Sequence, residues 1–245
     1  MVFRDETAME VDFFEEAFNR FATGDVRRVL EPGCGSGRLV VAMAERGYDV
    51  TGLDLSQPML QYLRRRLKRR GLNAATVLGD MTEMQFDRKF DAAFCTFNTF
   101  RHLMSDADAI KHLRCVAEHL RKGGLYILGF HCIPLDADED CIERWKASSG
   151  GTKVSATLRV LDFDRASRQE VLRVSIKATK RNGKIERIRT DFPLRLYTHD
   201  QAEALLNQVA DQFEIASLYD FGYDIHWPVE LDEDLADAVF VLRRI

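Results

Sequence analysis

The chain has 245 residues, 46% of them hydrophobic and 30% charged, with a formal net charge of −4. That length gives one large domain, or a domain with an insertion, and a sizeable core; the composition excludes a disordered chain, and the slight acidity gives no global reason to expect a polyanion partner. No run of about 18 apolar residues occurs, so no transmembrane helix is expected, and the acidic, amphipathic opening MVFRDETAMEVDFFEEAF lacks a signal-peptide pattern, so the expectation is a cytoplasmic protein without a membrane partner.

Val29 and Leu30 end a short apolar strand at a glycine loop, VLEPGCGSGRL. Leu39, Val40, Met43 and Ala44 then recur at helical spacing from Arg38 to Arg46, with Gly47 as a stop. YDVTGLD reads as a second strand ending in Asp54, Ser56 as an N-cap with Pro58 in the first turn, and Leu60, Leu63 and Leu67 as the apolar face of a helix closed by Gly71. ATVLGD is a third strand and FDAAFCTF a fourth; Ser105 caps a helix from Asp106 to Leu120 that stops at Gly123 and Gly124; LYILGF is a fifth strand. Strands alternating with helices predict a doubly wound parallel α/β sheet.

After Pro134 the rhythm changes. LDADEDCIERWKASSGG is acidic and irregular, and three long strand-like runs follow at about Lys153 to Asp164, Glu170 to Lys180 and Ile185 to Leu196. Asn182-Gly183 between the last two suits a type I′ hairpin turn, and alternation of Leu172, Val174, Ile176 and Ala178 with polar residues predicts an antiparallel meander with one wet face. Helical spacing returns at Ala202, Leu205, Leu206 and Val209, before two final strands near Glu214 to Phe221 and Ala238 to Arg243.

Gly33, Gly35 and Gly37 lie between a strand and a helix, where backbone N–H groups and a helix N-terminus meet a ligand. A dinucleotide loop needs G-x-G-x-x-G, but Arg38 holds the last of those positions. Glu31, just before the loop, suits a cation better than a pyrophosphate. Asp54, ending the second strand, can accept both ribose hydroxyls, and Asp80, after the third, can accept from an exocyclic amine. The plain alternative for either aspartate is a cap or turn; three carboxylates at successive strand ends instead suit a nucleoside carrying an ammonium or sulfonium group. Asn98, Arg101, His102, His131, Tyr197 and Tyr223 are the polar candidates around the reacting group, with Arg101 free to hold a substrate carboxylate. No pair of histidines has ligand spacing, so no metal site is expected. The scattered Cys34, Cys95, Cys115, Cys132 and Cys141 read as reduced thiols. LRRRLKRR, residues 63 to 70, reads as a solvated helix face, so no nucleic acid is expected.

Taken together, VLEPGCGSGRL, VTGLDLSQPML, VLGDM and LRKGGLYIL resemble the class I S-adenosylmethionine-dependent methyltransferases over about residues 27 to 130, with the usual last hairpin near 214 to 243. FNTFRHL, the inserted meander and LRLYTHDQAEALL resemble the branch that methylates small molecules, including glycine and amino-sugar N-methyltransferases. The resemblance implies a mostly parallel, seven-stranded, Rossmann-like core at 1–135 and 198–245, and an antiparallel insertion at 136–197 covering the active site. It implies S-adenosyl-L-methionine as cofactor: Gly33, Gly35 and Gly37 along the methionine part, Glu31 near its amino group, Asp54 on the ribose, Leu55 and Met59 on the adenine, Asp80 and Met81 at its amine and ring, Thr96 and Phe97 closing the pocket. A homodimer through the insertion is implied by some relatives. The N-P-P-Y-type sequence of DNA and protein amide methyltransferases is absent, since the fourth strand ends in CTFNTF. The expected function is methyl transfer to nitrogen or oxygen of a small polar molecule. Transfer to a hydroxyl needs a base, and His102, His131 and Tyr197 remain open for it. The rivals are an RNA methyltransferase, a non-catalytic cofactor-binding protein and an NAD-dependent dehydrogenase.

Overall fold

Helix α1 (Arg4–Phe21) opens the described chain and buries Val11, Phe13, Phe14, Ala17 and Phe18; the computed structural model describes residues 4–133 and 141–245. Strands and helices follow in turn: β1 (Arg28–Pro32), α2 (Arg38–Glu45), β2 (Asp49–Asp54), α3 (Gln57–Arg70), β3 (Ala75–Leu78), β4 (Phe90–Cys95), α4 (Asp106–His119) and β5 (Leu120–His131). After the second sheet, α5 (His199–Asn207), β10 (Phe213–Tyr219) and β11 (Asp237–Arg244) complete the core. The strand order is β10-β11-β5-β4-β1-β2-β3, with β11 antiparallel to both neighbours. Strand order reverses between β1 and β4, which opens a crevice at the carboxyl ends of the parallel strands.

Alternation along the strands divides the core into two layers. Leu125 and Ile127 of β5 pack with α1, α2 and α3; Tyr126, Leu128 and Phe130 pack with α4 and α5. The starts of α3 and α4 follow the predicted caps, and α5 has one that was not predicted. Ser56 Oγ accepts from Met59 N–H and Ser105 Oγ from Asp108 N–H, while Thr198 and Gln201 form a capping box on α5. One boundary differs: α4 ends at His119, and β5 already begins at buried Leu120, so Gly123 and Gly124 lie within the extended segment.

The second sheet holds β6 (Ile142–Ser149), β7 (Thr152–Asp164), β8 (Gln169–Thr179) and β9 (Ile185–Arg195) in that order, all antiparallel. Strand β6 corrects the sequence reading, which left 142–149 irregular; its Trp145 and Ala147 share a face with Ala156 and Val154 of β7, an alternation hidden by neighbouring charges. The acidic residues 136–140 lie outside the described residues. The β8–β9 turn also differs from type I′. Only Gly183 has positive φ, at 79°, and its N–H donates to Lys180 O at 2.9 Å, so one left-handed residue closes the hairpin and Asn182 needs none.

Candidate active site

Glu31, next to last in β1, lies buried behind the glycine loop, with Oε2 accepting from Val40 N–H at 2.9 Å. Burial raises its pKa to about 8, opposed by Arg38 and the Val40 bond and reinforced by Glu10 and Asp54. A mostly protonated carboxyl beside a loop of backbone amides is a site that gains by meeting a cation.

Gly33, Gly35 and Gly37 all have positive φ, at 68°, 51° and 69°. Their missing side chains serve different ends. A Cβ on Gly33 would lie 2.3 Å from Thr99 Cγ2, and one on Gly37 2.2 Å from Leu63 Cδ1, so these two make room for the protein itself. At Gly35 a Cβ would meet nothing within 4 Å. Of the three glycines, Gly35 alone therefore has open space beside its Cα.

Asp54 ends β2 and shapes this loop: its carboxylate accepts from Gly35 N–H and Ser56 N–H, both at 2.7 Å. Leu55 and Met59 beside it are exposed, Leu55 at 70%, and Leu78 and Phe97 are exposed on other strand ends around the crevice. Such apolar exposure next to polar groups suits a flat aromatic ring. Asp80 Oδ1 accepts from Thr82 N–H and Thr82 Oγ1, so one of its oxygens caps a turn as the plain alternative foresaw, and the other is available to an amine. Met81 is half-buried, and its carbonyl bonds the His112 ring.

The end of β4 turns sharply, because Phe97 and Asn98 both take left-handed φ, 62° and 66°. Phe97 is thereby turned outward beneath the Arg38 guanidinium, 5.8 Å from its ring centre. Thr96 stays buried and donates to Glu10 at 3.0 Å.

Glu10 is a residue the sequence reading missed. It is buried on α1 and gathers Thr96, Tyr223 and Arg38 around its carboxylate. The signal was present: Glu10 falls on the same helical stripe as Phe13, Phe14 and Ala17, where a charge has no reason to be unless it is paired. Asp237 at the start of β11 was missed too. It pairs with His131 across the β5–β11 ladder and contacts His131 Nδ1.

Of the polar candidates, His102 and His131 remain at the crevice. His102 is exposed against Phe192, and desolvation together with Arg101 lowers its pKa below 6.5, while Asp54 acts in the opposite direction. His131 lies at the carboxyl end of β5 with its ring against Phe221. Its backbone N–H donates to Asn98 Oδ1 at 2.9 Å, so Asn98 braces the site through its carbonyl.

Three expectations are corrected. Arg101 is buried, pairs with Glu170 of β8 and donates Nε–H to Arg195 O at 2.7 Å, so it has no freedom to hold a substrate carboxylate. Tyr197 is 0% exposed among Phe100 and Phe130, with burial pushing its pKa up to about 12, which unsuits it as a base. Tyr223 is buried and donates to Glu10 at 3.2 Å, and so braces α1 rather than facing substrate. Among the described residues no three His, Cys, Asp or Glu side chains are grouped to hold a metal ion.

The donor set fits a cationic nucleoside: a buried carboxyl with raised pKa, one open glycine, a carboxylate at the end of β2 and exposed apolar walls. Residues 29–124 match a family described as a methyltransferase domain. The cypemycin N-terminal methyltransferase of a Streptomyces species is 38% identical over 104 residues, 42% of either chain. The dTDP-3-amino-3,6-dideoxy-alpha-D-glucopyranose N,N-dimethyltransferase of Streptomyces fradiae is 29% identical over 145 residues, 58% of this chain and 54% of that one. This chain spans about half the length of the curated relatives it matches. The solved structure of Streptomyces venezuelae DesVI superposes with a TM-score of 0.78 at 18% identity, covering 97% of this chain and 92% of that one. Residues 29–124 thus match a methyltransferase domain, and the sheet order and the DesVI superposition give the chain around them the same fold.

Proposed function

We propose that the protein transfers a methyl group from S-adenosyl-L-methionine to a nitrogen or oxygen of a small polar molecule. The observation that carries this reading is the buried Glu31 carboxyl behind a glycine loop in which Gly35 alone faces open space. Glu31 and the loop would hold the methionine end, Asp54 the ribose, and Leu55, Met59, Asp80 and Met81 the adenine, with Thr96 and Phe97 closing the pocket. When bound, the cofactor supplies an electrophilic methyl on a sulfonium whose leaving group departs neutral. The chain's work is then orientation of the nucleophile and removal of its proton. Asp237 fixes a hydrogen on His131 Nδ1, which leaves Nε2 as the acceptor for that proton. His102 stands at the same crevice as a second acceptor. The N-methylation named for the Streptomyces fradiae relative supports nitrogen as the first choice.

We assign residues 136–197 to an insertion over the site, and 1–135 with 198–245 to the core. The second sheet supports this by meeting the crevice rim at two places: Arg101 with Glu170, and His102 with Phe192. A homodimer through the insertion is supported by the apolar face of that sheet, where Trp145, Leu158, Val174 and Ile176 are only half-buried and Ile188 is exposed. Cys34, Cys95, Cys115 and Cys132, buried and outside any disulfide, support a reducing, cytoplasmic setting.

The test is calorimetry with S-adenosylmethionine and NADH, followed by a labelled-methyl screen of amine and hydroxyl metabolites. Cofactor binding with transfer to a small amine is the expected result. NADH binding without S-adenosylmethionine binding overturns the reading.

A further inference from the structure

The second sheet has another face, which the methyl-transfer site does not use. Cross-strand partners share a face, so the register assigns it row by row. Lys146, Ser155, Lys177 and Arg187 form one row across the four strands. Arg144, Thr157, Ser175 and Arg189 form the next. Outside these lie Lys153 on one side and the pair Arg159 and Arg173 on the other. Asp191 is the single carboxylate in these rows and pairs with Arg173; among the described residues the other cations of the face have no ion-pair partner.

Residues 142 to 195 carry 14 Lys and Arg against 6 Asp and Glu, while the remainder of the chain carries 21 against 33. A basic sheet thus projects from an acidic body, and the net charge of −4 conceals it. Rows two residues apart along a strand are about 6.8 Å apart, and four strands span about 14 Å. Two adjoining hollows of about 440 and 360 Å³ follow this face and share Ser155 and Lys177. The opposite face carries Phe192, which packs on His102, so the basic rows point away from the crevice.

We propose that this face docks the phosphate backbone of a single-stranded nucleic acid. Charge complementarity demands a polyanion, and side-chain type selects among polyanions. Protein interfaces centre on buried aromatic and aliphatic anchors and are poor in lysine; this face has lysines and arginines at its centre, with isoleucines at its edges only. A membrane surface would also ask for exposed aromatic or aliphatic wedges. Lys, Arg, Ser and Thr are the side chains that bond phosphate oxygens. Contacts to phosphate oxygens carry no sequence information, so binding is independent of sequence. The small-molecule site and this surface lie on different faces, so docking places the enzyme without making the polymer its methyl acceptor.

The experiment is fluorescence anisotropy of the full chain with a 5′-fluorescein 20-nucleotide polyuridylate. Micromolar binding at low salt is expected, and about five phosphate contacts give a slope of log K against log salt of about −3.5. Charge reversal at Lys146→Glu, Lys177→Glu and Arg187→Glu weakens binding by at least about tenfold, each phosphate contact being worth a substantial fraction of the affinity. The helix variant Arg65→Glu, Arg66→Glu, Arg69→Glu keeps wild-type affinity. Should the triple sheet variant not fold, the single Lys177→Gln variant reads the same loss on a smaller scale, with a shallower salt slope. No binding at low salt, a flat salt dependence, equal loss in the helix variant, or equally tight binding of poly-glutamate or anionic vesicles overturns the proposal.

Discussion

Removing the titrating group at Glu31 tests the site most directly, because one buried carboxyl governs two observables. Its pKa stands at about 8 in place of 4.5. A difference of one in pKa is worth about 1.4 kcal/mol, so the ionised form is disfavoured by roughly 4–5 kcal/mol. A carboxyl whose folded pKa exceeds its unfolded value binds more protons in the folded state, so its contribution to stability is whole below 4.5 and is lost as pH rises to about 8. Ligand-free protein should then lose about 1.4 kcal/mol per pH unit through that window, or roughly 3–5 °C in Tm for a chain of this size. The ammonium end of the cofactor should reverse the preference, since an opposite charge beside Glu31 favours the carboxylate. Cofactor affinity should rise up to about tenfold per pH unit from about 5.5 toward 7.5, with a proton released, and level near 8, where a free α-amino group loses its own proton. Arg38, Glu10 and Asp54 are the charged neighbours on other elements; Arg38 opposes the rise and the two acids reinforce it. Calorimetry in buffers of different ionisation enthalpy counts the proton, and thermal melts follow the free protein. Glu31→Gln should flatten both profiles. An affinity that is constant from pH 6 to 7.5, or a slope that survives in Glu31→Gln, refutes the reasoning.

Asp54→Ala should weaken the cofactor by about 1.5–3 kcal/mol, the range for a hydrogen bond to a charged group, and an unchanged dissociation constant would reduce Asp54 to a brace for Gly35 and Ser56. His131→Gln should lower kcat about 100-fold near neutral pH, a typical general-base contribution, with cofactor affinity unaffected; for an amine acceptor the deficit should close as pH rises, and a kcat equal to wild type at pH 7 removes His131 from the chemistry. Arg101→Met should destabilise the protein by roughly 3–5 kcal/mol by leaving Glu170 buried and unpaired, whereas Arg101→Met with Glu170→Leu should recover much of that in chemical denaturation; additive losses in the double variant would show that the pair is not coupled.

Periodicity and punctuation made most of the core legible. Leu60, Leu63 and Leu67 with Ser56 and Gly71 mark α3 within a residue of its ends, because a helix buries every third or fourth residue and its caps have local chemistry. The carboxylates at 31, 54 and 80 could be assigned to one crevice because parallel strands place their carboxyl ends on one edge. Strand β6 was hidden because its outward residues are charged and its apolar face is only half covered. What sequence could not give was the partner of each polar side chain. Arg101, Tyr197 and Tyr223 have the composition of a substrate site, yet Glu170, 69 residues away, and Glu10, 213 residues away, draw two of them inward, and the rings around Tyr197 enclose the third. The register of the second sheet is of the same kind. A strand shows which residues alternate, but only hydrogen bonding between strands sets Lys146, Lys177 and Arg187 side by side. Local pattern is fixed by neighbours along the chain, and charge is given meaning by neighbours across it, which the tertiary fold alone selects.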